Sequence, residues 1–467
     1  MSAKENSRYK VLAELSEPKD STRTDEGDPP AQRQPAFALT LFRFQEAIDA
    51  VRQLHDEVCG HAAELDRQRV SPEQLSAVKS LDPERQEKFK KWLEDVFAPS
   101  EESAEADGDK GADEESAEGD EGLTETDMQM MTEVFGENPV AIGQAQMLLQ
   151  RNILMAPSRE GLLRSSLLTM AVAAFEALLG GLAARHYEMH PASIGGEKKF
   201  TLKEIAGYES IEDIQDAAIE HRVYYLLQGS LDDWAKWLDQ ISGLHVKLEN
   251  LAISYEDLEE IIQRRHVIVH NGGVASARYL EKVKPDESVT AGSRLEVTAD
   301  YLEMALDNLD SLGNLVGVTI WAKNRPDAKH DAASVLSNRM EQLLFAHRWR
   351  PLRQLSSYGK KVAPLDVHKQ IFKVNEWLAI KRLDGLDGIT EEIRDDWDTS
   401  AMGQQFQLVQ MALLDETDAF FRFAPIVVRE GAIQEEQLTS WPIFEEVRRD
   451  PRFSDLLAGK EDLDSTS

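Results

Sequence analysis

Residues Arg264 to Gly273, "RRHVIVHNGG", place two arginines and two histidines around an apolar triplet, in a 467-residue chain with formal net charge −33. Histidine titrates near neutrality and can move a proton, while an arginine fork matches two phosphate oxygens. Together these types supply what cleavage of a phosphodiester through a 2′-hydroxyl needs: an acid/base group and a fixed cation for the crowded phosphate. His266 and His270 also have the spacing of two metal ligands on a helix. No acid lies between them as in a zinc protease, and no third ligand is evident, so no metal or other cofactor is expected.

The local element decides how these groups are presented. Val267, Ile268 and Val269 favour a strand, and Asn271-Gly272 is a strong hairpin signal. Against this, "SYEDLEEIIQRR" offers Ser254 as an N-cap with Asp257 three residues on, acids in the first turn, and Leu258, Ile261 and Ile262 along one face. Cations at its far end favour the helix dipole, and Asn then Gly can end it in the left-handed conformation. A helix from Tyr255 to about His270 is therefore expected. On it His266 and His270 share a face, about 40° apart, whereas Arg265 and His270 stand roughly 140° apart. Joint action then needs the arginine's reach, an unwound last turn, or a second subunit.

The run Arg265-His266-x-x-x-His270-Asn271 resembles the Arg-polar-xxx-His signature of the HEPN superfamily. The phrase "RRHVIVHNGGVASARYL" and the upstream apolar helix "LLTMAVAAFEALLGGL", which carries the single acid Glu176, resemble that family in order and separation over about residues 159–323. The resemblance implies an all-α, HEPN-like bundle that dimerises, so that two motifs meet at a cleft, and in many members a metal-independent endoribonuclease with a role in defence or stress. It implies His270 as acid/base, Arg265 as phosphate clamp, and His266 orienting the site or sharing proton transfer. Arg264 and Asn271 would support the site, and Glu176 would hold Arg265 or a histidine. The rival reading is a catalytically inactive helical scaffold or nucleotide-binding module, and a metallohydrolase ranks third. Each residue also has a structural role open to it: Arg264 and Arg265 complementing the dipole, His270 capping, Glu176 a buried ion-pair partner. Arg278, Lys282 and Lys284 in "ARYLEKVK" extend the cations or simply form a solvated face.

The rest of the chain reads as helical units joined by acidic segments. Residues 1–34 are polar and are expected to be disordered; 35–99 form a small helical unit in which "SPEQL" and "DPERQ" start helices with Pro at the first position. Residues 100–124 are an acidic linker, with one lysine among eleven acids between Ser100 and Gly122. A bundle is expected at 125–326, a C-terminal helical domain suited to a regulatory partner at 327–459, and a disordered tail at 460–467.

The charge excess argues against broad adhesion to nucleic acid, so RNA contact must be local. Cys59 is the single cysteine, and "MSAKENSRYK" has no apolar run after it, so a cytoplasmic protein is expected. Leu167 to Ala184 has about the length of a bilayer span, but Glu176 and six alanines favour a buried helix, and no membrane partner is expected. His55, Cys59 and His61 cluster in sequence but point in different directions on a helix. Tyr224, Tyr225, Trp234 and Trp237 recur at helical spacing and are expected in the core.

Overall fold

A computed structural model describes residues 34–67, 76–79, 81–96, 125–136, 138–149, 158–195, 199–240, 253–285, 288–362 and 366–464. The tail before residue 34, the "SPEQL" start and the acidic linker lie outside them. The chain is all-α: among the described residues the one β feature is an isolated antiparallel bridge, Val274 to Arg294.

The longer helices are α1 (Gln34–Arg67), α2 (Pro83–Val96), α3 (Glu125–Phe135), α4 (Pro139–Leu149), α5 (Arg159–Met189), α6 (Ile211–Gln228), α7 (Leu231–Gln240), α8 (Tyr255–Asn271), α9 (Ala277–Val283) and α10 (Ala299–Asn324). They continue through α11 (Lys329–Phe345), α12 (Trp349–Val362), α13 (Asp366–Asp384), α14 (Gln404–Leu413), α15 (Thr417–Arg429) and α16 (Arg452–Asp464). Their starts follow local chemistry. Asp82 accepts from the Arg85 N–H at 3.0 Å with Pro83 first in α2, and Ser210 and Asp213 form a reciprocal capping box on α6. The helix α16 runs to Asp464, into the segment expected to be disordered, because extending a helix already nucleated costs little.

Two compact units emerge, and neither follows chain order. The first gathers the described parts of 1–48, 171–263 and 304–467; the second gathers 49–170 and 264–303. The boundaries read from composition at 99 and 124 lie outside the described residues.

In the first unit α10 lies close against α1. Gly313 and Gly317 sit one turn apart, and a methyl on either would overlap Phe44 or Leu41. Phe44 packs edge-on to Phe175 of α5, and Phe175 against Trp234. The apolar stretch of α5 is long enough to cross a membrane, with mean hydropathy 1.9, and Leu178, Leu179, Leu182 and Ala183 are each at most 2% exposed within this core. A buried polar network threads the same core: Gln45 donates to Asn314 at 2.6 Å, Asn314 to Asp310 at 2.8 Å, and Arg339 makes two bonds to Asp310 at 2.6 and 3.1 Å. Trp377, Leu408, Phe420 and Phe444 centre a further apolar cluster across α13 to α15 and the turns that follow.

The aromatics of α6 and α7 divide. Trp234 and Trp237 are buried, and Trp237 donates to the Tyr187 hydroxyl at 2.8 Å, but Tyr224 and Tyr225 are 60% and 58% exposed. Both had been expected in the core. Ile219 and Leu226 set the inward line of α6, and the two tyrosines stand 100° or more from Leu226 or Ile219 around the axis.

The second unit has two apolar clusters. Phe89, Trp92, Met131, Phe135 and Ala145 join α2, α3 and α4; Val267, Ala275, Tyr279 and Leu295 join the end of α8 to α9 and the segment after it.

Candidate functional site

The site is built on the last two turns of α8. Ser254 caps the helix by accepting from the Asp257 N–H at 3.1 Å, and the helix stays intact through Asn271. The last turn is not unwound, so on one helix Arg265 and His270 stay roughly 140° apart. The residues that take the left-handed conformation are Gly272 and Gly273, at φ +63° and +83°, rather than Asn271. The Gly273 N–H returns to the Val267 carbonyl at 3.2 Å, and the chain then pairs with 292–295: Ala275 N–H to Ser293 O at 2.8 Å, Leu295 N–H to Gly273 O at 2.8 Å. The hairpin signal in "NGG" is thus partly realised, one step later and with a partner twenty residues on.

The helical stretch turns Val267 inward, 1% exposed, and leaves the histidines on a wetter face. The His266 and His270 rings lie 4.5 Å apart between centroids, tilted by 49°, with His266 half-buried and His270 exposed. Burial lowers the His266 pKa below the ordinary histidine value, and the nearby charges of His270, Arg278, Arg265 and Lys282 lower it further. The imidazole therefore holds its neutral, proton-accepting form more firmly than a free histidine. Arg278 and Lys282 come from α9, so two of the three cations of "ARYLEKVK" act electrostatically on His266.

Arg264 has a different task. Its guanidinium donates to the Glu296 carbonyl and lies 4.1 Å from the centre of the Tyr301 ring, tying α8 to the chain leading into α10. The same chain is held from α5, where Arg164 donates to the Val297 carbonyl at 2.6 Å. Sequence reasoning missed both anchors, since nothing local marks Glu296 or Val297 as a carbonyl that an arginine will claim. Asn271 ends the helix exposed, its carbonyl accepting from the Val274 N–H at 3.2 Å. Glu176 is half-buried in α5 and belongs to the first unit, whereas the motif belongs to the second.

Cys59 is buried on α1, and burial raises its thiol pKa, with Arg164, Glu160 and Asp56 as its charged neighbours. Among the described residues no three His, Cys, Asp or Glu side chains gather as a metal site would require. The motif thus combines two histidine rings 4.5 Å apart, the charges of Arg265, Arg278 and Lys282 acting on His266, and an apolar cluster around Val267, group types suited to an anion and a proton. No known family, curated protein or solved structure matches the chain.

Proposed function

We propose that the chain is a metal-independent endoribonuclease of HEPN type, acting through a composite site formed where two copies meet. The observation that carries this reading is the His266 and His270 pair at 4.5 Å inside a cluster of Arg265, Arg278 and Lys282. In a chain of net charge −33 a local concentration of cations is where an anionic substrate is most favoured.

In this reading His266, held neutral, accepts the 2′-hydroxyl proton as the oxygen attacks phosphorus. The 5′-oxygen leaves with a proton from the exposed His270, giving a 2′,3′-cyclic phosphate and a 5′-hydroxyl. Arg265 offsets the charge on the pentavalent phosphate. An unbroken α8 sets Arg265 and His270 roughly 140° apart, which favours a partner's Arg265 serving each His270.

The test is cleavage of total RNA by the purified protein in EDTA. His270→Ala and Arg265→Ala are expected to lower the rate by about 10²–10⁴-fold while the protein stays folded and dimeric. Mixing the two variants should restore part of the activity, because one composite site regains both groups. Cleavage that demands added metal and survives both substitutions would defeat the reading.

A further inference from the structure

Where α5 ends, the stretch "HYEMHPASIGG" beginning at His186 sets two histidines and a serine close together, with a proline and glycines around the serine. The His190 N–H still donates to the His186 carbonyl at 2.9 Å, so the helical ladder reaches His190. Pro191 has no N–H with which to continue it, and the chain makes a single turn through Pro191–Ile194 before Gly195 leaves at φ +80°. The Ser193 N–H donates to the His190 carbonyl at 2.8 Å, and that return brings the Ser193 side chain back over the helix end, its Oγ 3.4 Å from Nε2 of His186.

His186 is fully buried, 0% exposed, and is held on its other side by α10. Its Nδ1 lies 2.9 Å from Oδ1 of Asn324, the last residue of that helix. The Asn324 amide is fixed against flipping, because its Nδ2 donates to the Ile320 carbonyl at 2.8 Å. Since Oδ1 can only accept, the ring proton sits on Nδ1, and Nε2 presents its lone pair to Ser193. Burial lowers the His186 pKa below the ordinary histidine value; the bond to Asn324 works against this, and His190, 4.9 Å away between ring centroids, adds to it. The imidazole is therefore a neutral proton acceptor at neutral pH. All three residues lie within the first unit.

We propose that Ser193, His186 and Asn324 form a second active centre, a serine hydrolase triad acting on activated carboxylic esters. It does not rest on the ribonuclease reading. Ser193 Oγ attacks the ester carbonyl carbon while its proton passes to Nε2 of His186. The imidazolium then protonates the leaving oxygen, releasing the alcohol and leaving an acyl ester on Ser193. Water gives a proton to Nε2 and attacks that ester, and the proton returns to Oγ as the carboxylic acid departs. Asn324 is the positioning residue: it sets the tautomer and touches no substrate. Being neutral, it supports the imidazolium less than a carboxylate would, so the substrate must bring a good leaving group such as a phenol.

Ser193 is half-buried on a surface turn and can be reached from solvent although its base cannot. Its hydroxyl donates to the His190 carbonyl at 2.6 Å, and rotation about the Cβ–Oγ bond turns the same proton toward Nε2. The 3.4 Å gap is the loose spacing of a triad without substrate. The carbonyl bond alone would serve a serine that only closes the turn. The contact with a buried imidazole of fixed tautomer is what makes this one a nucleophile.

The test uses the full-length protein with two probes: a fluorophosphonate, which phosphonylates an activated serine with loss of fluoride, and p-nitrophenyl acetate. Mass spectrometry of the digested protein should place the phosphonate on Ser193, and Ser193→Ala, a change on the surface turn, should abolish it. His186→Gln and Asn324→Leu should each slow labelling by about 10²-fold or more. Asn324→Asp should keep it, since an acceptor for the Nδ1 proton remains. Nitrophenol release should begin with a burst of about one equivalent per chain, absent in Ser193→Ala. Circular dichroism shows which variants fold, and if the two core positions tolerate no change, Ser193→Ala decides alone. An unlabelled Ser193 in the wild type overturns the triad, as does labelling at the wild-type rate in a folded His186→Gln. Equal slowing in Asn324→Leu and Asn324→Asp overturns the positioning role of Asn324.

Discussion

At His266, burial and surrounding positive charge push the same way, and their sum can be read from pH. A base whose pKa is lowered keeps its neutral form at pH values where an ordinary histidine is already protonated. The acid limb of kcat/KM should therefore have its midpoint below 6.5, the ordinary histidine value. Removing Arg278 or Lys282 lifts one repulsive charge, so the limb should move upward in Arg278→Ala and Lys282→Ala while burial keeps it from moving further. A wild-type midpoint at or above 6.5 would show that another group is the base. Arg264 and Arg265 stand side by side in sequence with identical chemistry, yet one is clamped by a carbonyl and an aromatic ring and the charge of the other helps lower the His266 pKa. Helical phase separates them by about 100°, and only the folded chain says which direction leads to Tyr301.

At the scale of elements, α8 was legible because four local signals agreed: the Ser254 cap, acids in its first turn, an apolar stripe and a glycine stop. These act over a few residues, and their sum outweighed a β-branched triplet. The pairing after Gly273 was not legible, because its partner segment lies beyond α9 and carries no strand pattern of its own. Tyr224 and Tyr225 show the complementary limit: helical spacing says that residues share a face, but only the neighbours decide whether that face is covered. Glycines make the same point in energetic form. Gly143 in α4 has open space around it, so Gly143→Ala should stabilise by about 0.5–1 kcal/mol through helix propensity alone. Gly317 lies against Leu41, and overpacking of about 1–3 kcal/mol there should outweigh that gain. Urea unfolding of the two variants should move in opposite directions; a stabilised Gly317→Ala would mean that α1 and α10 part easily.

For the molecule as a whole, the buried network of Gln45, Asn314, Asp310 and Arg339 joins helices from distant parts of the chain. Asp310 and Arg339 are 0% and 1% exposed at their side chains. Replacing only Arg339 by methionine strands a carboxylate in the core and should cost about 3–5 kcal/mol, whereas Asp310→Asn together with Arg339→Met should recover part of that loss. A double variant no better than the single one in thermal melts would show that Asp310 was never dependent on its partner. The bond from Gln45 to Asn314 also joins residues 269 positions apart. On a ribosome adding roughly 5–20 residues per second, α1 emerges roughly 13–54 s before the helix it must dock on. During that wait Leu41, Phe44 and the apolar length of α5 have no finished core to enter. A protein assembled from such interleaved segments therefore meets its greatest hazard during synthesis, when its most hydrophobic helices are complete and their cover is still unmade.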